Sequence, residues 1–264
     1  MSTRTPALLL LRETGCAARI AVRNPQTTFL VVVLPLLYLL VIASIFDGEE
    51  VHAPDRSRLL DVSTIMTASV VVIGVVSATF QNLTMTLVED REYGVLKRLR
   101  STPVPAPVFL AGHVVTATVM SLLLAALVTA LGVLVFGVPF PGTRILAGAV
   151  TVLAGALACA LVAFPFSVLV RKASASLPMA FGAGLTMFFL SGNFFPGKDL
   201  PVAMERVADL LPVRHFFLAM LTVFDPHTTG TGFEGGHLAV LGVWAVAGAV
   251  LAVVFFRWTP TGDE

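Results

Sequence analysis

The sequence predicts an all-α integral membrane protein with six transmembrane helices. Hydrophobic residues make up 56% of the 264-residue chain and charged residues only 12%, about half the charged share of a soluble domain. The charges are also spread unevenly, and the intervals between them are long enough for helices of about 20 residues, which cross a bilayer. A charge at the centre of such a helix costs about 2.5–3.5 kcal/mol on insertion scales. Intervals without charges therefore mark the spans.

All spans belong to one predicted transmembrane domain, 1–264. Asn24 and Pro25 are typical residues for the start of a helix, and the turn Gly137–Gly142 ends the third span. In chain order, the predicted spans are 25–46, 62–88, 108–136, 145–170, 173–195 and 237–256.

The segment before the first span has an amphipathic pattern. Arg12, Arg19 and Arg23 fall on one stripe of a helix, with Leu10, Ala17 and Ala21 opposite. This pattern predicts an interfacial helix over 5–23, against the alternative of a loosely ordered tail.

Lysines and arginines near the span ends predict the orientation. They are concentrated in the N-terminal segment and in the second-to-third and fourth-to-fifth connections, whereas the first connection is mainly acidic. Cytoplasmic connections carry the excess of basic residues. Both termini are therefore predicted to be cytoplasmic.

The region 196–236 is predicted to be a long external connection broken by prolines. Met204, Val207 and Leu211 fall on one helical face, which predicts a short helix at the outer membrane surface. Short external helices between spans five and six complete the predicted fold.

Several kinds of chemistry lack the residues that they need. The net charge of +1 gives no electrostatic basis for binding nucleic acid. The run from Gly192 to Lys198 matches a phosphate loop only until Asp199, where Ser or Thr would bind magnesium. The predicted spans contain no Asp, Glu, Lys or Arg for catalysis or proton coupling. Neither cysteine has a partner at metal-ligand spacing. If the chain moves a substrate uphill, the energy must therefore come from another subunit; an intramembrane enzyme is possible but unsupported.

The second span carries small and polar residues along one seam. Such residues let helices approach closely and hydrogen-bond. Two interpretations stay open: a tightly packed or dimer seam, and a substrate path between two protomers. The seam consists of Ser63, Thr67, Gly74, Ser77, Gln81 and Thr84.

The connection after the second span resembles a docking element. Val95, Leu96 and Leu99 form a small apolar face, which basic residues surround (Arg91, Lys97, Arg98 and Arg100). Pro103 and Pro105 would end this helix before the third span. An exposed helix of this kind suits a partner's groove, although a basic anchor on the cytoplasmic side is an alternative.

The same run resembles the signature of type-2 ABC exporter permeases, in which an acidic-Arg-Glu-x-Gly stretch leads into Leu-x-x-Leu and Thr-Pro. The later run from Ser191 to Pro196, followed by Leu200-Pro201, resembles the family's exit from its fifth span. The likeness covers essentially the whole chain. Tyr93 stands where many members have a small or polar residue.

The resemblance implies a subunit of an ATP-driven exporter of hydrophobic or amphipathic substrates in a bacterial plasma membrane. It pairs with a second permease protomer, as a homodimer or heterodimer, and binds two ABC ATPase subunits that hold ATP and magnesium, so that this chain needs no cofactor. A membrane scaffold or sensor that docks a cytosolic partner without transport is the alternative.

The resemblance also implies site residues. The second and fifth spans would line the pathway. The outer gate would include Gly192, Asn193, Phe194, Phe195, Pro196 and Pro201. A cytoplasmic coupling helix over 89–102 would contact the ATPase through Glu89, Arg91, Glu92, Tyr93, Gly94, Val95, Leu96, Arg98, Leu99, Thr102 and Pro103.

Overall fold

The computed structural model describes residues 29–46, 48–53, 59–95, 106–191 and 202–255. A π-helical turn, Phe29–Val33, precedes the first helix, and a 3₁₀ turn, Gly142–Arg144, precedes the fourth. The helices in chain order are α1 (Leu34–Ile45), α2 (Val62–Glu92), α3 (Ala106–Phe136), α4 (Ile145–Leu169), α5 (Ala173–Ser191), α6 (Val202–Ala208), α7 (Pro212–Phe224) and α8 (Gly235–Phe255).

Helices α2, α3, α4, α5 and α8 are long and apolar enough to cross a membrane. This confirms the all-α membrane class. The first predicted span, 25–46, lies partly outside the described residues, and the apolar helix seen there, Val31–Ile45, is shorter than the other five. The interfacial helix predicted at 5–23 lies outside the described residues.

Helix α2 is the centre of the bundle. Every residue from Val62 to Gln81 is buried, because α1, α3, α4, α5 and α7 surround it. Glycines allow these close contacts: a Cβ on Gly132 of α3 would lie 2.6 Å from Oγ1 of Thr67. Small residues at such contacts are typical of helix packing in membranes. A π-helical turn, Ser77–Gln81, interrupts α2 near its middle.

Helix α8 packs mainly on α4. Their backbones come close at Gly248, where an added Cβ would lie 2.8 Å from the carbonyl carbon of Leu161. The outer faces of the bundle expose large apolar side chains such as Leu134 and Val253, which are 82% and 87% exposed. These faces suit contact with lipid rather than water.

A two-stranded antiparallel hairpin is an element that the sequence did not predict. Strands β1 (Glu50–His52) and β2 (Leu59–Asp61) lie in the first connection, with Glu50 paired to Asp61. The amide of Val62 donates to the carbonyl of Glu49 at 2.9 Å, so the hairpin leads directly into α2. Three-residue strands are too short to show the alternation that reveals strands in a sequence. We call this end of the molecule the hairpin end, and the opposite end the Arg91 end.

Helix α7 lies in the region predicted as an external connection, 196–236, and it is buried inside the bundle. An added Cβ on Gly148 would lie 3.1 Å from Val223, and one on Gly155 would lie 2.7 Å from the ring of Phe216. The two contacts run in opposite chain directions, so α7 is antiparallel to α4 and enters the bundle beside the first part of α4. At 13 residues α7 is too short to span a bilayer.

Polar contacts fix both ends of α7. Nε of Arg214 lies 2.8 Å from Oδ1 of Asp209, and Nδ1 of His215 lies 2.9 Å from Nδ1 of His237 on α8. At the other end, Arg144 donates to the carbonyls of Thr222 and Asp225. The two Arg144 contacts bind carbonyls at the end of α7, where the helix itself supplies no partner.

Helix α6 coincides with part of the short helix predicted around Met204 and Val207. It spans Val202–Ala208, and Met204 and Val207 are each 47% exposed. Leu211, predicted on the same face, lies beyond α6 as the N-cap of α7.

Candidate functional site

The Arg91 end is formed by the last turn of α2. The predicted coupling helix, 89–102, is corrected here: Glu89 to Glu92 continue α2, and the first break comes at Tyr93 and Gly94. Gly94 has a φ of +71° and its amide donates to the carbonyl of Arg91 at 3.3 Å. Glycine in this left-handed conformation commonly ends a helix. The charge pattern predicts the membrane boundary, whereas the glycine sets the end of the helix.

Asp90 faces α3. Its Oδ2 lies 3.8 Å from Nε2 of His113, and both side chains are mostly buried. Glu89 beside it is half-buried. These acidic residues therefore lie partly inside the helix bundle.

Arg91 and Glu92 point toward the connection between α4 and α5. Arg91 is 5% exposed and donates from Nη1 to the carbonyl of Ser167 at 3.2 Å and from Nη2 to the carbonyl of Val170. Oε2 of Glu92, a more exposed residue, accepts from the amide of Ala173. The prediction that Arg91 lies on an exposed basic rim is wrong, because these carbonyls at the end of α4 bind its guanidinium inside the protein.

Tyr93 is strongly exposed, at 67%. Gly94 and Val95 are half-buried. The other predicted coupling residues lie outside the described residues: Leu96, Arg98, Leu99, Thr102 and Pro103.

The predicted seam on α2 does not form a surface. Its six residues, Ser63, Thr67, Gly74, Ser77, Gln81 and Thr84, are all buried inside this one chain. Gly74 packs on Leu124 of α3, where an added Cβ would come within 2.6 Å. The contacts therefore match the tight-packing interpretation. In this single chain, α3 and the other neighbours of α2 cover the face that was predicted as a dimer seam or a path between protomers.

Gln81 joins α2 to α5. A Cβ added to Gly184 would overlap Nε2 of Gln81, so the amide fits a notch in α5. Among the described residues, Oε1 of Gln81 and Oγ1 of Thr84 have no hydrogen-bond partner. A buried polar atom of this kind carries a free-energy cost.

Helix α5 has one buried and one open face. The buried stripe follows every third or fourth residue and packs mainly on α2 (Ser176, Ala180, Gly184, Phe188 and Ser191). The opposite face exposes Met179, Leu185 and Phe189, and no atom lies within 4 Å of a Cβ added to Gly182. We call this surface, defined by these four residues, the open face of α5.

The predicted outer gate and possible metal sites are the remaining features. The gate residues Gly192, Asn193, Phe194, Phe195, Pro196 and Pro201 lie outside the described residues. Within the described part of the chain, no group of three His, Cys, Asp or Glu side chains could hold a metal ion.

Sequence reasoning missed the roles of Ser167, Val170 and Ala173. Each contributes a backbone atom, which no side-chain pattern reveals. One hint lay in what the two helices lack: α4 has no basic residue in its last turn, and α5 has no acidic residue in its first turn.

Comparison with known proteins agrees with this architecture. Residues 17–224 match the family model for the ABC-2 type transporter. A probable multidrug ABC transporter permease, YbhR, from Escherichia coli strain K12 is 27% identical over 154 residues, and its counterpart in strain O157:H7 is equally similar. The alignment covers 56% of this chain and 39% of the length of these curated relatives. Because the family model matches most of the chain, including the motif at the end of α2, this chain belongs to the ABC-2 type transporter family and is a type-2 ABC permease.

Proposed function

We propose that this chain is the membrane subunit of an ATP-driven exporter. The observation that carries the proposal is the position of the motif Asp90–Gly94 at the end of α2, the helix at the centre of the bundle. Any force applied to this end acts directly on the helix that contacts α1, α3, α4, α5 and α7.

The spans lack the charged residues that another energy source would use. Between Val62 and Val88, and throughout α3, α4, α5 and α8, the sequence has no Asp, Glu, Lys or Arg. Proton-coupled transporters commonly carry such groups near the midplane. A separate ABC ATPase with bound ATP and magnesium therefore supplies the energy in this proposal.

The ATPase docks at the Arg91 end, which we place in the cytoplasm. The exposed Tyr93 lies there, and the apolar Leu96 and Leu99 follow in the sequence. Arg171 and Lys172, both exposed, lie at the same end. This basic surface is the side expected to stay inside the cell.

The substrate pathway runs along the open face of α5, where a second protomer, identical or related, supplies the opposite wall. This replaces the seam on α2, which is covered. The open face is apolar, with Leu185 and Phe189 exposed, and suits a hydrophobic or amphipathic substrate. The segment that follows α5, together with α6 and α7, forms the outer gate in this arrangement.

The test is co-purification of the full chain from its own source in mild detergent. We expect an ATPase subunit with a phosphate loop to be bound stoichiometrically. Leu96→Asp or Leu99→Asp should abolish its binding by placing a charge on the docking face, and membrane insertion should be unchanged. The matched control is Leu59→Asp, the same change at an exposed leucine of β2 on the hairpin end, which should leave ATPase binding intact.

Transport separates this function from a scaffold or sensor. Everted membrane vesicles that contain the complex should take up ethidium only when ATP is supplied. A bound ATPase without ATP-dependent uptake of ethidium or of other amphipathic dyes would favour the scaffold. Absence of an ATPase in the purified complex, or its undiminished binding by the Leu96→Asp and Leu99→Asp variants, would contradict the proposal.

A further inference from the structure

The ends of α4 and α5 depend on charges from α2. The last carbonyls of a helix have no partner within the helix and attract cations, and its first amides attract anions. Helix α4 has no basic residue in its last turn, and α5 has no acidic residue in its first turn. Arg91 and Glu92 supply these charges from outside: Arg91 binds the carbonyls of Ser167 and Val170, and Glu92 binds the amide of Ala173.

These contacts hold a very short connection. Only residues 170–172 separate α4 from α5, and each side of this turn is bound by one of two adjacent residues of α2. Further along, the amide of Gln81 occupies the notch at Gly184, so α5 is attached to α2 at a second level. A displacement of the end of α2 must therefore move the end of α4 and the start of α5 as well.

Arg91 is unsuited to contact a cytosolic partner, because its side chain is 5% exposed and its guanidinium is engaged with two carbonyls. The carboxylate of Glu92 is engaged with the start of α5. Tyr93, the next residue, is 67% exposed. Within the motif, Arg91 and Glu92 are bound to α4 and α5, whereas the part that begins at Tyr93 faces outward.

We propose that Arg91 and Glu92 are positioning residues that carry ATPase-driven movement from α2 to α5, and that they do not themselves dock the ATPase. This inference rests on the proposed function. It assigns these two residues of the motif to the mechanical connection between the ATPase and the open face of α5.

The first test needs no partner. In Glu92→Ala, the amides in the first turn of α5 should exchange with deuterium at least about tenfold faster, because Ala173 loses its acceptor. Glu50→Ala is the matched control: it makes the same change at an exposed glutamate on the hairpin end and should leave this exchange unchanged. Unchanged exchange at the start of α5 in Glu92→Ala would overturn the proposal.

The second test measures movement of α5 in the complex with its ATPase. Leu185→Cys, in a chain with Cys16→Ser and Cys159→Ala, places one thiol on the open face. ATP with vanadate should change the rate at which a maleimide labels this thiol. In Arg91→Met and Glu92→Ala this ATP-dependent change should fall about tenfold, and the amount of bound ATPase should stay within about twofold of the parent. In Glu50→Ala both should remain as in the parent.

The outcomes separate the two proposals. Loss of bound ATPase in Arg91→Met and Glu92→Ala would make these residues docking residues and overturn the inference alone. A full ATP-dependent change in both variants, or none in a parent that binds the ATPase, would also overturn it. Failure of the parent to bind any ATPase would instead contradict the proposed function. Should Arg91→Met fail to fold, Arg91→Lys, which keeps the charge but cannot donate in the same two-pronged way, takes its place.

Discussion

Gly248 is the residue at which α8 approaches the backbone of α4. An added Cβ would lie 2.8 Å from the carbonyl carbon of Leu161 and 2.9 Å from the amide nitrogen of Val162. Backbone atoms cannot rotate away as a side chain can, so Gly248→Ala should separate the two helices and destabilise the protein by about 1–3 kcal/mol.

The control for Gly248→Ala is Gly242→Ala in the same helix, where no atom lies within 4 Å of the added Cβ. That change should be neutral or slightly stabilising, because alanine favours a helix over glycine by about 0.5–1 kcal/mol. Thermal unfolding in detergent can be followed by the reaction of buried Cys159 with a thiol-reactive fluorophore, in a Cys16→Ser chain. Equal shifts of the midpoint in both variants would contradict the packing argument.

Arg91 and Glu92 also show what a sequence reveals at the scale of one residue. Their type and spacing identified the motif. Their orientation could not be predicted, because their partners lie 76 and 81 residues further along the chain and are backbone atoms. Periodicity places a residue on a helical face, but it does not say which later segment will cover that face.

At the scale of an element, Gly94 sets where α2 ends. Its φ of +71° costs other L-residues about 1–2 kcal/mol, and nothing lies within 4 Å of an added Cβ. Gly94→Ala should therefore misdirect the segment that follows and lower the amount of ATPase bound per permease. Gly94→Asn should retain more, because asparagine adopts this conformation more readily. Quantitative co-purification measures both, and equal losses would show that the side chain matters rather than the backbone conformation.

The elements were predictable to different degrees. Helices α3, α4 and α8 follow the charge-free intervals closely, since a long apolar helix is the simplest way to satisfy backbone groups in lipid. Helix α7 was not predictable as a buried element, because its burial depends on notches at Gly148 and Gly155 of another helix. A short apolar helix can lie inside the bundle or at its surface, and its length does not distinguish the two locations.

At the scale of the whole molecule, the burial of α2 could not be derived from its composition. Its small and polar residues favoured a functional face and a packing face equally, and only the arrangement of the five surrounding helices decides between them. Helix α5 also carries small residues but lies at the periphery, which leaves its second face open.

The charges at the two ends of the bundle predict how it crosses the membrane. Arg171 and Lys172 lie exposed at the Arg91 end, and the acidic Glu49, Glu50 and Asp61 lie exposed at the hairpin end. Since basic connections stay in the cytoplasm, a thiol at Lys172→Cys should react with an impermeant maleimide only after cells are permeabilised. A thiol at Glu50→Cys should react in intact cells. Both variants are made in a chain without Cys16 and Cys159. The reverse pattern would place the motif at the end of α2 outside the cell, where no ATP-driven partner could reach it.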